Sequence, residues 1–399
     1  IFHFGKTKIL YQLNGLCWKN IGCNKITKRE NTLSKICGDN MIYNDGTFED
    51  NSGTWFVGYR DNVLYYMDNQ GKVKIEEEIP LDIYTKDTYR ANPFCIKKED
   101  KIWLLPEKSK TIYEYDLNNK TFKSIKVELD CSRYSIRNAW VLGSTLWCLS
   151  FRVGKMIKID LKTGVVLSIL AVCTPKIESG CGEAVCVDDK IYIAEWSKNI
   201  VIEFDTTNEN KIEHVINCGD LGFGTIQYDG KFFYLTGYNK CLYKCDLNNG
   251  YVTTFFLDDL KVMLESTEKK YLFFVSSKLI NDYIFILPQN NMTCICSQII
   301  ILNTKTEEIQ IVELQNYDKP RKFDDCLIYN FILNNEVYIH DYNESQYWVI
   351  NMNTFEIRQA KMNINKEHND NYWKKRGIKG IHSENELLGL ENLISCLRG

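Results

Sequence analysis

The runs Ile112-Tyr113-Glu114-Tyr115-Asp116, Met156-Ile157-Lys158-Ile159-Asp160 and Val201-Ile202-Glu203-Phe204-Asp205 share one pattern: apolar residues ending on an acid. The pattern recurs at Val63-Leu64-Tyr65-Tyr66-Met67-Asp68 and Leu242-Tyr243-Lys244-Cys245-Asp246, and with Asn at the end in Ile299-Ile300-Ile301-Leu302-Asn303 and Trp348-Val349-Ile350-Asn351. The terminal residues 68, 116, 160, 205, 246, 303 and 351 are spaced by 48, 44, 45, 41, 57 and 48 positions. Self-similarity at this period marks a repeat architecture. Each unit holds four short apolar or alternating segments. In the third they are Asn138 to Gly143, Thr145 to Phe151, Lys155 to Leu161 and Val165 to Leu170, divided by Gly-Ser, Val-Gly and Lys-Thr-Gly. Segments this short, punctuated by turn residues, are strands.

Four strands per unit, seven times over, predict an all-β fold: a seven-bladed β-propeller of four-stranded antiparallel blades. Radial closure protects the strand edges that a flat stack of such sheets would expose. The acid or Asn closing each third strand is read as structural, because its side chain can accept backbone N–H groups of the next turn. Asp246-Leu247-Asn248-Asn249-Gly250 carries the full turn chemistry. Residues 1–44 are read as an N-terminal extension with a ring-closing strand at Lys8 to Leu13, and 45–362 as the propeller. Residues 363–399 form a tail in which Ser383-Glu384-Asn385-Glu386 caps an amphipathic helix with Leu387, Leu390, Leu393, Ile394 and Leu397 on one face. That helix docks on the propeller or mediates oligomerisation.

Lys190-Ile191-Tyr192-Ile193-Ala194-Glu195-Trp196, followed by Ile200 to Asp205, resembles kelch-like and YVTN/NHL-like propeller blades, and the resemblance extends over about residues 45–362. The Gly-Gly doublet of kelch and the Trp-Asp ending of WD40 blades are absent. The resemblance implies an architecture and brings no catalytic residues with it.

Composition narrows the function. The chain has 399 residues, 44% of them hydrophobic and 25% charged, with a formal net charge of −3. A near-neutral balance argues against nucleic-acid binding. No apolar run reaches the ~18–20 residues of a membrane span. The 16 cysteines sit largely inside apolar runs, as Cys148, Cys186, Cys294 and Cys296 do, where free cysteine packs as a small hydrophobe. Reduced thiols and a cytoplasmic location are the expectation. Cys294-x-Cys296, Cys241-x₃-Cys245 and Cys181-x₄-Cys186 lack zinc-ligand spacing, and no metal or cofactor is implied. Gly219-Asp-Leu-Gly222-Phe-Gly224 precedes a strand, outside the strand–turn–helix context of a phosphate loop. His340 ends a second strand and His214 lies on an outer strand.

What remains is the loop face around one mouth of the central channel. There Tyr59, Trp196, Tyr238 and Tyr342 interleave with Arg137, Arg152, Glu195 and Asp341. Aromatic faces stack on sugar or peptide groups, and charges fix orientation. The leading expectation is a non-catalytic module presenting this mouth to a protein, peptide or glycan. The alternative is a carbohydrate-active hydrolase or lyase working through carboxylates at the mouth, with Glu183, Glu195 and Asp341 as candidates.

Overall fold

The anchor residues sit where the repeat puts them: every one of the seven closes a third strand. The structure is a computed structural model that describes residues 42–43, 53–58, 63–68, 73–80, 94–106, 110–129, 136–150, 153–173, 181–264, 274–290, 294–314, 325–333, 335–341 and 346–361. The strand at Lys8 to Leu13 and the helix after Ser383 lie outside these residues.

Blade one consists of β1 (Ile42–Tyr43), β2 (Gly53–Gly58), β3 (Val63–Asp68) and β4 (Val73–Glu78), and blade two of β5 (Phe94–Lys98), β6 (Lys101–Leu105), β7 (Thr111–Asp116) and β8 (Thr121–Lys126). Blade three holds β9 (Ile136–Leu142), β10 (Thr145–Ser150), β11 (Lys155–Asp160) and β12 (Val166–Ala171). Blade four holds β13 (Cys181–Val187), β14 (Lys190–Glu195), β15 (Ile200–Asp205) and β16 (Lys211–Val215). Blade five holds β17 (Phe223–Tyr228), β18 (Phe233–Gly237), β19 (Cys241–Asp246) and β20 (Tyr251–Phe256). A two-stranded ribbon follows, β21 (Met263–Leu264) with β24 (Cys294–Ile295). Blade six is β22 (Phe274–Ile280), β23 (Tyr283–Asn290), β25 (Gln298–Asn303) and β26 (Ile309–Glu313). Blade seven is β27 (Asp325–Leu333), β28 (Glu336–Asp341), β29 (Gln346–Asn351) and β30 (Ile357–Lys361). Blades six and seven join where Gln289 and Asn290 pair with Cys326 and Asp325. The expected seven-bladed propeller is the fold.

Period-2 alternation explains why the blades stack. On β6, Leu104 packs into the core shared with blade one and Trp103 into the core shared with blade three. On β7, Tyr113 and Tyr115 face blade one while Ile112 faces blade three. Both faces of a blade are thus buried, so its strands read as nearly continuous apolar runs. Among the largest fully buried side chains, Trp147, Trp348, Tyr115 and Phe204 lie in cores shared by two blades. Cysteines pack in these cores as the sequence suggests: Cys95, Cys148, Cys241, Cys245 and Cys296 are buried among apolar side chains. Burial pushes the Cys245 thiol up to about 12 and Cys296 up to about 11. Among the described residues, the expectation of reduced thiols fails at one pair. Cys173, just past β12, and Cys181, opening β13, form a disulfide with Cα atoms 6.5 Å apart. Their proximity is set by the step from one blade to the next, which spacing does not reveal.

The turn chemistry repeats around the ring. Asp116 Oδ1 accepts the N–H groups of Asn118 and Asn119 at 2.9 and 2.8 Å, and Asp160 Oδ1 those of Lys162 and Thr163 at 3.0 and 2.7 Å. Asn303 Oδ1 accepts from Lys305 and Thr306 at 2.9 and 3.1 Å, and Asn351 Oδ1 from Asn353 and Thr354 at 2.8 and 3.1 Å. The residue four places on is left-handed, as at Lys120 (φ 53°), Glu209 (φ 60°) and Phe355 (φ 56°). The Asn119 N–H lowers the Asp116 carboxyl from 3.8, and the hydroxyls of Thr163 and Thr207 do the same for Asp160 and Asp205. These acids are stronger folded than unfolded. Their contribution is complete above the unfolded value and is lost as pH falls through the folded one. We expect the melting temperature to drop between about pH 4 and pH 2, and the triple variant Asp116→Asn, Asp160→Asn, Asp205→Asn to drop less steeply. Parallel acid slopes in scanning calorimetry would refute this.

Candidate binding face at blades four and five

In an antiparallel meander, the connection from an outer strand to the next inner strand lies at the same end as the connection between second and third strands. Three such connections meet at blades four and five: Trp196 to Asn199, Ile216 to Gly222 and Tyr238 to Lys240. Asp220 locks two of them together. It is 6% exposed. Its Oδ1 accepts the N–H groups of Leu221 at 2.8 Å and Tyr238 at 2.9 Å. Its Oδ2 accepts the N–H of Asn239 at 3.1 Å and the Tyr243 hydroxyl at 3.2 Å. The third connection packs against this clasp through Gly222, whose Cα lies so close to Trp196 that an added Cβ would stand 2.1 Å from the Trp196 carbonyl oxygen.

Glu195 sits beside the clasp. The sequence reading put it in a loop; in the structure it closes β14, pairs with Cys181 at the mouth end of β13, and is fully buried. Its Oε1 accepts the Ser197 hydroxyl at 2.9 Å. Its Oε2 is buried and has no hydrogen-bond partner among the described residues. Burial raises the Tyr238 phenol, and the neighbouring carboxylates of Asp220 and Glu195 add to the rise. Trp196 is half-buried, with its indole nitrogen 3.0 Å from where a Cβ on Gly182 would stand. Glu195 and Trp196, at the end of β14, thus lie beside the connection that carries Tyr238.

Glu183 goes elsewhere. It lies in a β-bulge of the inner strand β13, between Cys181 and Ala184. Its Oε1 accepts the Ser277 N–H at 2.6 Å, and its Oε2 accepts the Ser277 hydroxyl. Matching bulges occur near the mouth ends of β9, β17 and β22, re-aiming the side chains that edge the channel. Arg137 is the extra residue of the β9 bulge. Asp341 is the last residue of β28, opposite Leu327. Tyr59, Arg152 and Tyr342 lie outside the described residues. His214, on the edge strand β16, pairs through Nε2 with Glu203 Oε2 at 2.8 Å. The inner strands of blades two to six line an open cavity of about 490 Å³. No cluster of three or more potential metal ligands occurs among the described residues.

No family model matches the chain, and no curated protein matches it in sequence. Solved structures do. One is a streptogramin B lyase, at 14% identity and a TM-score of 0.53, covering 77% of this chain and 92% of that one. Another is a catalytically inactive virginiamycin B lyase from Staphylococcus aureus with quinupristin, at 11% identity and 0.53, covering 77% and 93%. A third is the computationally designed Ika8 protein, at 9% identity and 0.50, covering 81% and 87%. The likeness is one of fold. At these identities it carries neither chemistry nor ligand to this chain.

Proposed function

We propose that this chain is a non-catalytic propeller, of kelch-like or YVTN/NHL-like blades, that binds a peptide or glycan at the mouth of blades four and five. Trp196 and Tyr238 carry the reading: both stay partly exposed beside the fully buried Glu195. Trp196 and Tyr238 supply aromatic surface beside it, which suits a flat sugar or peptide face. Acid–base hydrolysis would ask for two converging carboxylates, whereas Glu183 has both oxygens engaged by Ser277.

The test is a thermal-shift screen of short peptides and oligosaccharides, with hits followed by titration calorimetry. Trp196→Ala is expected to weaken a hit by ~1–3 kcal/mol, and Tyr238→Ala by a similar amount, through lost stacking. A panel with no hit, a hit indifferent to both substitutions, or turnover of the bound ligand would each overturn the proposal.

A further inference from the structure

The fourth strand of each blade forms its outer edge, so seven versions of one position can be compared within a single molecule. Charge on an exposed edge keeps sheets from pairing with one another. Five of the outer strands carry it: Lys74 on β4, Lys123 on β8, Glu213 on β16, Glu313 on β26 and Arg358 on β30. The strands β12 and β20 carry none. On β20 the Thr253 hydroxyl donates to the Tyr251 hydroxyl at 2.8 Å, and two exposed acids, Asp258 and Asp259, stand just past its end. β12 has no such guard. No charged residue occurs from Thr163 to Cys173. Its exposed positions are apolar: Val165 at 55%, Leu167 at 52%, Ile169 at 38%, and Ala171. A bulge near the start of the strand leaves Leu167 unmatched on β11, and Ser168 to Ala171 then pair regularly. Among the described residues, β12 is hydrogen-bonded in its sheet to β11 alone.

The backbone of this edge is ready for another strand. Val172 donates its N–H to the Gly154 carbonyl on the β11 side at 2.9 Å. Antiparallel alternation therefore turns the N–H and C=O groups of Ile169 and Ala171 away from the sheet. Charge decides which strand fits. A partner strand bearing Lys or Glu would bury that charge against an edge that carries none of its own. A neutral apolar strand meets no such cost, and β12 is itself such a strand. Antiparallel pairing about a two-fold axis at Leu170 sets Ile169 of each copy opposite Ala171 of the other, so one patch serves both sides. The contact is also closed, because each copy uses up its edge and the assembly stops at two. We propose that the chain forms a two-fold dimer in which β12 pairs antiparallel with β12 of a second copy, covering Leu167 and Ile169.

Sedimentation velocity on the full chain, from about 1 to about 100 μM, reads the assembly. We expect a monomer–dimer equilibrium with no larger species. Ile169→Lys brings two ammonium groups close to the axis and should raise the dissociation constant at least tenfold. Thr254→Lys, on the exposed side of the other uncharged edge, should leave it unchanged. Hydrogen exchange gives a readout on the unmodified protein and decides the matter if Ile169→Lys fails to fold. Amides in the peptide 164–173 should exchange at least threefold more slowly in concentrated than in dilute protein, while those in 251–256 keep their rate. A monomer at every concentration, association beyond two copies, a dimer indifferent to Ile169→Lys, or exchange in 164–173 that ignores concentration overturns the proposal.

Discussion

Replacing Asp220 by alanine should destabilise the protein by about 3–4 kcal/mol. The carboxylate accepts three backbone N–H groups and a tyrosine hydroxyl while nearly buried. Hydrogen bonds to charged groups contribute ~1.5–3 kcal/mol each, and donors left unpaired away from water cost more than the bond itself gained. Some donors will find water at the mouth face, which keeps the loss below the sum of the bonds. Asp220→Asn is expected to be milder, near 1–2 kcal/mol. Its Oδ1 still serves Leu221 and Tyr238, but the amide NH₂ then opposes the Asn239 N–H. Urea unfolding followed by tryptophan fluorescence reads both variants. An alanine variant within about 1 kcal/mol of wild type would mean that the clasp is no clasp. Because Asp220 fixes the backbone of Tyr238, the asparagine variant should also weaken any ligand that Trp196→Ala weakens.

The architecture was legible because its signal is local and repeated. Each third strand ends on a side chain that must bond the following turn, and Asp116, Asp160, Asn303 and Asn351 do so within three residues. Blade three illustrates the precision: expected strands beginning at 138, 145, 155 and 165 begin at 136, 145, 155 and 166. The long interval of 57 residues before Asn303 is taken up by the ribbon β21–β24, inserted ahead of and within blade six. The binding face was legible only in part. Trp196 and Tyr238 share it because equivalent loops of neighbouring blades meet, a consequence of topology. The burial of Glu195 was not legible, since it depends on how closely Gly222 lets the next blade approach. Asp220 left one trace, the glycine run around it. Ser277 left none: its bond to Glu183 spans 94 residues, and nothing in either neighbourhood announces the other. The disulfide is hidden for a different reason: only eight residues separate Cys173 from Cys181, but their meeting depends on the step from one blade to the next.

Gly222→Ala should cost about 3 kcal/mol, while Gly219→Ala, three residues earlier in the same run, should cost almost nothing. The contrast follows from what each added methyl would meet. At Gly222 a Cβ would lie 2.1 and 2.4 Å from the Trp196 carbonyl oxygen and carbon and 2.8 Å from the Glu195 carbonyl oxygen. All three are backbone atoms at the end of β14, so relief requires shifting a strand end or the entry to β17. At Gly219 nothing lies within 4 Å, and a smaller unfolded ensemble can even leave that variant slightly more stable. The same displacement would disturb the mouth. Moving the Glu195–Trp196 backbone separates the buried carboxylate and the indole from Tyr238, whose position Asp220 holds from the other side. Gly222→Ala should therefore lose ligand affinity beyond its loss of stability, measured at a temperature where calorimetry shows it folded. If both glycine variants melt alike, the run is an ordinary connector and the tight seam between blades four and five is not what shapes the face. If only Gly222→Ala melts early and binds poorly, close backbone approach at this seam is what holds the buried Glu195 beside Trp196 and Tyr238.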